Sequence, residues 1–382
     1  MRLPFDTSDT LLARAAWSRI AEPGEESAGA AVASLGPGEA LDWLCHAVEN
    51  PHALPPHVRA RVEGWATRLP GLDSRRELEV LARLGGYTIL PGEDGWPAPL
   101  DDLGPASPFL LWVRSDHAIP LEWPPGGAVS IVGSRASTRY GETLAAELAL
   151  GLAEDGVAVV SGGAYGIDAA AHRGALAANG APTVAVLAGG VDRLYPAGNE
   201  ELFRRIIAMG AVIAEAAPGS SPGRHRFLAR NRLIAALTSG TIVVEAGLRS
   251  GAISTANHAG RLLRPLGAVP GPVTSAASAG CHHLLRETQA TCVTSVAEAR
   301  ELIAPLGQVP VQEPLLGTGL LDGLAEDQSR VLDALPVRAT AEIDSIARTA
   351  GLSPAEVRSA LGLLELTGRV RRSGNRWARV AS

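Results

Sequence analysis

Residues 128–176 read AVSIVGSRASTRYGETLAAELALGLAEDGVAVVSGGAYGIDAAAHRGAL, and the alternation within them decides the fold class. An apolar run, Ala128–Val132, stops at Gly133-Ser134-Arg135, and helical spacing then covers Thr138–Glu154. A second run, Val157–Val160, ends in Ser161-Gly162-Gly163, and helical spacing resumes from Ile167 to Asn179. Short apolar runs without polar alternation mark strands covered on both faces, and parallel strands need a crossover helix between them. The alternation continues through runs at Thr183–Leu187, Ala211–Ala214, Thr241–Val244 and Leu266–Val269. Helical spacing covers Asn199–Met209, His225–Leu237 and Ala252–Leu263. Six strands and five helices in this order predict an α/β domain built on a doubly wound parallel sheet.

Outward from this block the pattern changes on both sides. Residues 1–77 read as a helical domain, with helices at Thr10–Ile20, Gly38–Glu49 and Pro56–Arg68. The central domain is taken as 78–302, its lead-in Glu79–Pro120 covering one edge of the sheet with the apolar run Phe109–Val113. Residues 303–322, with Pro305, Pro310, Pro314, Gly317 and Gly319, read as a linker. In 323–382, helices are expected at Glu326–Leu335 and Ala341–Thr349. After Gly351, Ser353-Pro354 supplies an N-cap and a first-turn proline for a third helix to Thr367. Arg369–Val380 alternates around Ser373-Gly374-Asn375 as a hairpin, so this unit reads as a winged helix-turn-helix.

The chain has 382 residues, 46% hydrophobic and 19% charged, which excludes global disorder. Its 34 basic residues are all arginine, a bias that a GC-rich genome suffices to explain, and its net charge is −6. That balance excludes a uniformly basic nucleic-acid binder but leaves room for a local basic site. Cys45, Cys281 and Cys292 are too few and too scattered for a disulfide framework or a metal knuckle, so no metal is expected. The first residues lack a secretory pattern, and no apolar stretch reaches the ~18 residues that span a bilayer. A cytoplasmic chain without membrane contact is the expectation.

The distinctive residues all fall just after strands, at the carboxyl edge where open parallel sheets bind ligands. Gly162, Gly163 and Gly166 precede a helix whose N-terminus offers free N–H groups to an anion; the same glycines would also serve plain tight turns. Neither a GxGxxG fingerprint nor a GxxxxGK[ST] loop is present, so no nucleotide cofactor is expected. Residues 216–244 contain no acid, yet hold Arg224, His225, Arg226, Arg230, Asn231 and Arg232. Arg226 and Arg230, four apart on one helix, would share a face with Arg135 nearby. Such guanidinium forks suit phosphate, although ordinary surface charge is the competing reading. Asp168, His172, Glu215, Glu245 and His258 are the candidate catalytic groups, but their spacing yields no nucleophile–base–orienter trio, and Asp168 with His172 equally suits a helix-stabilising pair.

Taken jointly, the stretches IVGSRASTRYG (131–141), SGGAYGIDAAAHRGAL (161–176), TVAVLAGGVDRLYPAGNEEL (183–202), FLARNRLIAAL (227–237), VVEAGLRSGAISTANHA (243–259) and AVPGPV (268–273) resemble the bacterial DNA-processing protein A family (DprA/Smf). The resemblance implies an extended Rossmann-like domain flanked by a SAM-like or helix-hairpin-helix domain and a C-terminal winged helix. It also implies a homodimer that binds and protects single-stranded DNA during natural transformation and helps load RecA. Carried over by motif, the phosphate-binding set is Gly133, Ser134, Arg135, Gly162, Gly163, Ala164, Arg230, Asn231, Arg232, Ser250 and Gly251, to which the basic island adds Arg226. Leu228-Ala229 stand where the family usually has a proline, Ala252-Ile253 replace the commoner Ser-Leu, and Ala197 stands where a cation often follows Tyr-Pro. Tyr140, Tyr165, Tyr195 and Phe227 are the local candidates for base stacking, which makes phosphate contact the dominant expected term.

Two other readings remain open. A nucleotide-processing enzyme of the nucleoside monophosphate hydrolase type would use Glu245. A duplex-DNA regulator would act through the winged helix, where Arg369, Arg371, Arg372 and Arg376 are the candidate duplex contacts; the same module also suits a protein partner.

Overall fold

A computed structural model describes residues 3–305, 324–336 and 339–380. The expected linker 303–322 falls, from residue 306 onward, outside the described residues. The chain divides into two compact units, Met1–Val309 and Pro310–Ser382.

The first unit opens with helices α1 (Thr10–Ile20), α2 (Glu26–Leu35), α3 (Pro37–Glu49), α4 (Pro56–Ala66) and α5 (Ser74–Arg83). The Asp9 and Asp73 carboxylates cap α1 and α5 by accepting from the N–H groups of Leu12 and Arg76. Trp17, fully buried, packs edge-on to Trp65 with centroids 5.6 Å apart and also meets Phe109, tying the helices to the lead-in of the sheet. Helices α2 and α5 were not read from the sequence; α2 (ESAGAAVASL) carries little beyond small residues, so its periodicity is faint.

Strands β1 (Gly86–Ile89) and β2 (Leu111–Arg114) precede the alternating block. That block runs β3 (Ala128–Gly133), α6 (Arg139–Glu154), β4 (Ala158–Ser161), α7 (Ile167–Ala175), β5 (Thr183–Leu187), α8 (Glu200–Met209) and β6 (Ala211–Ala214). It continues with α9 (Arg224–Ala236), β7 (Gly240–Glu245), α10 (Gly251–Arg261), β8 (Leu266–Ala268), α11 (Ala279–Glu287), β9 (Thr291–Cys292) and α12 (Val296–Ile303). All six expected strands and five expected helices are present. The sheet order is β1-β2-β6-β5-β4-β3-β7-β8-β9, parallel from β6 to β9, with β2 antiparallel to β6 and β1 to β2. The lead-in thus supplies two edge strands where a single apolar run was expected.

Val129, Ile131 and Val159 pack under α6 and α7, while Val132, Val160, Val184 and Val186 pack under α9, α10 and α11. This two-sided burial is why the strands lack alternation. The chain moves outward from β3 to β6, then crosses back to place β7 on the other side of β3. The loops after β3 and β7 therefore diverge and open a crevice at the carboxyl edge.

The second unit comprises α13 (Glu326–Ala334), β10 (Ala341–Glu342), α14 (Ile343–Ala350), α15 (Pro354–Leu366), β11 (Val370–Ser373) and β12 (Arg376–Arg379), with sheet order β10-β12-β11. It is a winged helix-turn-helix. Gly351 closes α14 in the left-handed region (φ 65°), and Ser353 with Glu356 forms a capping box on α15. The helix expected from Ala341 starts two residues later, because Ala341 and Glu342 pair with Trp377 and Arg376 as a third strand.

Candidate nucleic-acid interface

Three loops and one helix build the crevice. The β3–α6 loop is held by Glu245 at the end of β7, whose buried carboxylate accepts from the Thr138 N–H at 2.8 Å and from the Thr138 hydroxyl at 2.7 Å. The Ser134 N–H donates to the Glu245 carbonyl at 2.6 Å. Gly166 turns the β4–α7 loop at φ 76°, and a Cβ there would stand 2.4 Å from the Ser134 carbonyl oxygen, so glycine is required where the two loops cross. In the third loop, Ser250 caps α10 by accepting from the Ala252 N–H.

Arg230 of α9 fastens these parts together. It is 5% exposed; its Nη1 donates to the Gly162 carbonyl at 2.9 Å and to the Val186 carbonyl, and its Nε donates to the Asn231 amide oxygen at 3.2 Å. The Asn231 amide in turn donates to the Gly251 carbonyl at 3.2 Å. Burial, together with nearby Arg135, pulls the Arg230 guanidinium down to about 10, against the opposing pull of Asp168. Burial pushes the Asp168 carboxyl up, and Arg230, the Ala164 and Gly133 N–H groups and Arg135 work against it.

The resulting cleft encloses about 850 Å³. Gly133, Ser134, Arg135, Ala164, Arg230, Asn231, Ser250 and Gly251 of the expected set line it, together with Asp168, Tyr195, Arg224, Phe227 and Arg249. Arg135, Arg224 and Arg249 are exposed, and none of their guanidinium groups forms an ion pair among the described residues. Four arginines therefore face one carboxylate. The Phe227 ring is flanked by the Arg135 guanidinium 4.6 Å from its centroid and by Tyr195 at 5.8 Å. Tyr195 keeps 48% of its surface exposed, a flat ring at the mouth. Tyr140 instead donates to the Pro270 carbonyl at 2.9 Å, and Tyr165 accepts from the Gly198 N–H at 3.2 Å; neither lines the cleft.

The structure departs from the expected set at four positions. Gly162 and Gly163 lie behind the lining, where a Cβ would strike Arg230 at 2.5 Å and Phe203 at 2.4 Å, so these glycines make room for packed side chains. Arg232 is buried and donates to Glu215 at 2.7 Å and to the Ala106 carbonyl. Glu215 also accepts from the Gly24 N–H, which docks the N-terminal helices. Arg226, although on the same helix face as Arg230, does not line the cleft: it turns to Glu22, in the connection between α1 and α2, with Nε and Nη2 at 2.9 and 3.0 Å from the two carboxylate oxygens. Burial would raise the Glu22 carboxyl, but Arg226, His225 and Arg68 outweigh it and hold it at about 2. The acid-free island is thus paired in space with acids from another segment, which no local sequence signal announces.

Of the remaining candidate bases, His258 on α10 is half-buried, its pKa lowered by burial and by nearby Arg261 and Arg232. His172 is fully buried, its Nδ1 2.8 Å from the Thr183 hydroxyl, and burial with nearby Arg230 and Arg173 pushes it down to about 3. Among the described residues no cluster of three or more His, Cys, Asp or Glu side chains is placed to hold a metal ion, and no helix is long and apolar enough to cross a membrane.

In the second unit, Arg376 donates to Glu342 at 3.0 Å and to Thr340. Arg372 donates to the Gly374 carbonyl, and its guanidinium stands 5.8 Å from the Trp377 ring. Arg371 is exposed and Arg369 half-buried. The outward face of α15 carries Ala355, Glu356, Arg358, Ser359, Leu363, Glu365 and Leu366, with Leu366 85% exposed.

Residues 87–304 match the profile of the family described as DNA recombination-mediator protein A, and residues 318–375 match the DprA winged helix domain. A putative DNA processing protein DprA from Mycobacterium tuberculosis is 46% identical over 375 residues, covering 94% of this chain and 92% of that one. The X-ray structure of DNA processing protein A from Streptococcus pneumoniae superposes with a TM-score of 0.57 at 32% identity, covering 69% of this chain and 92% of that one. The protein of the same name from Helicobacter pylori, whose structure was described for its single-stranded DNA binding mode, gives a TM-score of 0.51 at 30% identity over 56% of this chain and 94% of that one.

Proposed function

The chain belongs to the DNA recombination-mediator protein A family, and on that premise we propose that its cleft binds the backbone of single-stranded DNA. One observation carries the reading: in a chain of net charge −6, four arginines line one open cleft against a single carboxylate. Arg135, Arg224 and Arg249 take phosphates with planar two-pronged forks. The hydroxyls of Ser134 and Ser250 and the backbone N–H of Gly251 add neutral donors, while the Gly133 and Ala164 N–H groups are given to Asp168. Asn231 and Arg230 hold the loops in register from beneath. Tyr195, seated on Phe227, offers a base a flat face, a contact that tolerates any sequence. Protection of single strands, loading of RecA, a role in transformation and a homodimeric state are proposed with it, from the family resemblance alone.

We read the chain as a binding mediator rather than a hydrolase. Glu245, the carboxylate a nucleotide-processing reading would need, is buried and accepts two hydrogen bonds from Thr138. That occupation supports the mediator reading. For the winged helix we favour a protein contact over duplex DNA, because α15 presents one cation beside two acids and two exposed leucines.

The test is a salt-titrated comparison of single- and double-stranded oligonucleotides of equal length on the full chain. Single strands should bind more tightly, with affinity falling as salt rises. Equal affinity, or a duplex preference, refutes the assignment. Release of free base from nucleoside monophosphates, abolished by Glu245→Gln, would establish the hydrolase instead.

A further inference from the structure

Helix α9 starts with Arg224-His225-Arg226 behind Gly223 and has no acid in its first turn. The positive end of the helix dipole thus adds to the charge of the His225 and Arg226 side chains, while Arg224 turns to the cleft. That end of the helix is filled. Beyond its two-pronged bond to Arg226, the Glu22 carboxylate lies 3.0 Å from Nε2 of His225 and is bonded by the Arg68 guanidinium. Its two oxygens present to the Arg226 fork what the two non-bridging oxygens of a phosphodiester would present.

This contact is not what fastens the N-terminal helices to the sheet. That work falls to other bonds: Arg232 to Glu215, with both side chains 5–6% exposed, the Gly24 N–H to Glu215, and Arg19 to Ser220 and the Pro218 carbonyl. The Glu22–Arg226 pair is shallower, at 30% and 18% exposure, and His225 is 67% exposed. It also adjoins the cleft along α9. Arg224 and Phe227, on either side of the pair in sequence, line the cleft itself, and Arg226 and Arg230 share a small cavity with Pro23.

We propose that Arg226, His225 and Arg68 form a second phosphate site adjoining the cleft, which Glu22 fills in the free chain and a DNA phosphate takes when the strand binds. Resting on the single-strand reading above, this makes Glu22 an internal competitor that lowers affinity and shortens the strand's path by one phosphate. Neutralising it with Glu22→Gln, which keeps the side-chain shape, leaves Arg226 open to the strand. One further phosphate contact steepens the salt dependence by roughly 0.7 in log–log slope and tightens binding by about fivefold at ~0.1 M salt.

The experiment measures oligo-dT affinity against salt for the full chain, Glu22→Gln, Glu22→Gln/Arg226→Ala and Arg135→Ala, with a thermal midpoint for each. The proposal expects Glu22→Gln to bind more tightly with the steeper slope, and the added Arg226→Ala to remove both gains. Unchanged or weaker binding by Glu22→Gln overturns it, as does a gain that survives Arg226→Ala. Arg135→Ala separates the two levels. If it weakens binding while Glu22→Gln does not tighten it, the cleft stands and the second site falls; if it leaves binding unaltered, the cleft reading falls.

Discussion

Arg135 is the position at which the cleft can be tested with least disturbance to the fold. Its guanidinium is exposed, forms no ion pair among the described residues, and rests on the Phe227 ring. Losing that surface cation–π contact costs about 0.5–1 kcal/mol, so Arg135→Ala should fold. If the guanidinium holds one phosphate, its removal lowers the log–log salt slope for single strands by roughly 0.7. The wild-type advantage then depends on salt: about 15-fold at ~0.02 M, about fivefold at ~0.1 M, and about twofold at ~0.3 M. Fluorescence anisotropy of a labelled oligo-dT across this range measures the ratio directly. A ratio that stays constant with salt would mean that Arg135 acts by shaping Phe227 rather than by meeting phosphate. A ratio of one throughout would overturn the cleft reading.

Tyr195→Ala should weaken single-strand binding by about 1–3 kcal/mol while leaving the salt slope as it is, because stacking releases no counterions; a changed slope contradicts a stacking role. Gly166→Ala should destabilise the folded chain by about 1–3 kcal/mol in urea unfolding, since φ 76° and the Ser134 carbonyl at 2.4 Å both oppose a Cβ; a neutral result would show that the loops separate readily. His172 is held neutral by burial down to about 3, while an unfolded chain protonates it below about 6.5. Its contribution is therefore present above that pH and lost as pH falls, by up to about 1.4 kcal/mol per pH unit. The buried Asp168 carboxyl, pushed up, titrates in the opposite sense. Comparing urea midpoints of wild type and His172→Gln at pH 7 and 5 isolates the histidine, and a difference independent of pH would refute the assignment.

The parallel sheet was legible because burial on both faces leaves the six strands β3 to β8 unbroken apolar runs, as in Thr183–Leu187, and glycine punctuates the loops that follow them at the carboxyl edge. The edge strands were less so. Gly86–Ile89 is too short to show a period, and Leu111–Arg114 reads like any apolar run until its antiparallel pairing with β6 is seen. At the site, Arg135, Arg230 and Asn231 followed from their positions after strands and on one helix. The fates of Arg226 and Arg232 did not. Each is decided by an acid far away in the chain, Glu22 or Glu215, and a charge island read along the sequence says nothing about which cations are already neutralised in space. Asp168, which helical spacing paired with His172, instead belongs to the cleft wall opposite Arg230.

The antiparallel pair β1–β2 has a consequence for handling the chain. Next to it in the sheet lies β6, Ala211-Val-Ile-Ala214, wholly buried and without a charge, proline or bulge to discourage pairing. A fragment beginning after Arg114 would bare that row of amide and carbonyl groups to solvent, where a second molecule's edge could zip onto it. The two lead-in strands act as a selvedge, keeping the weave from joining to its neighbour. Any shortened form meant to stay monodisperse should therefore begin before Gly86.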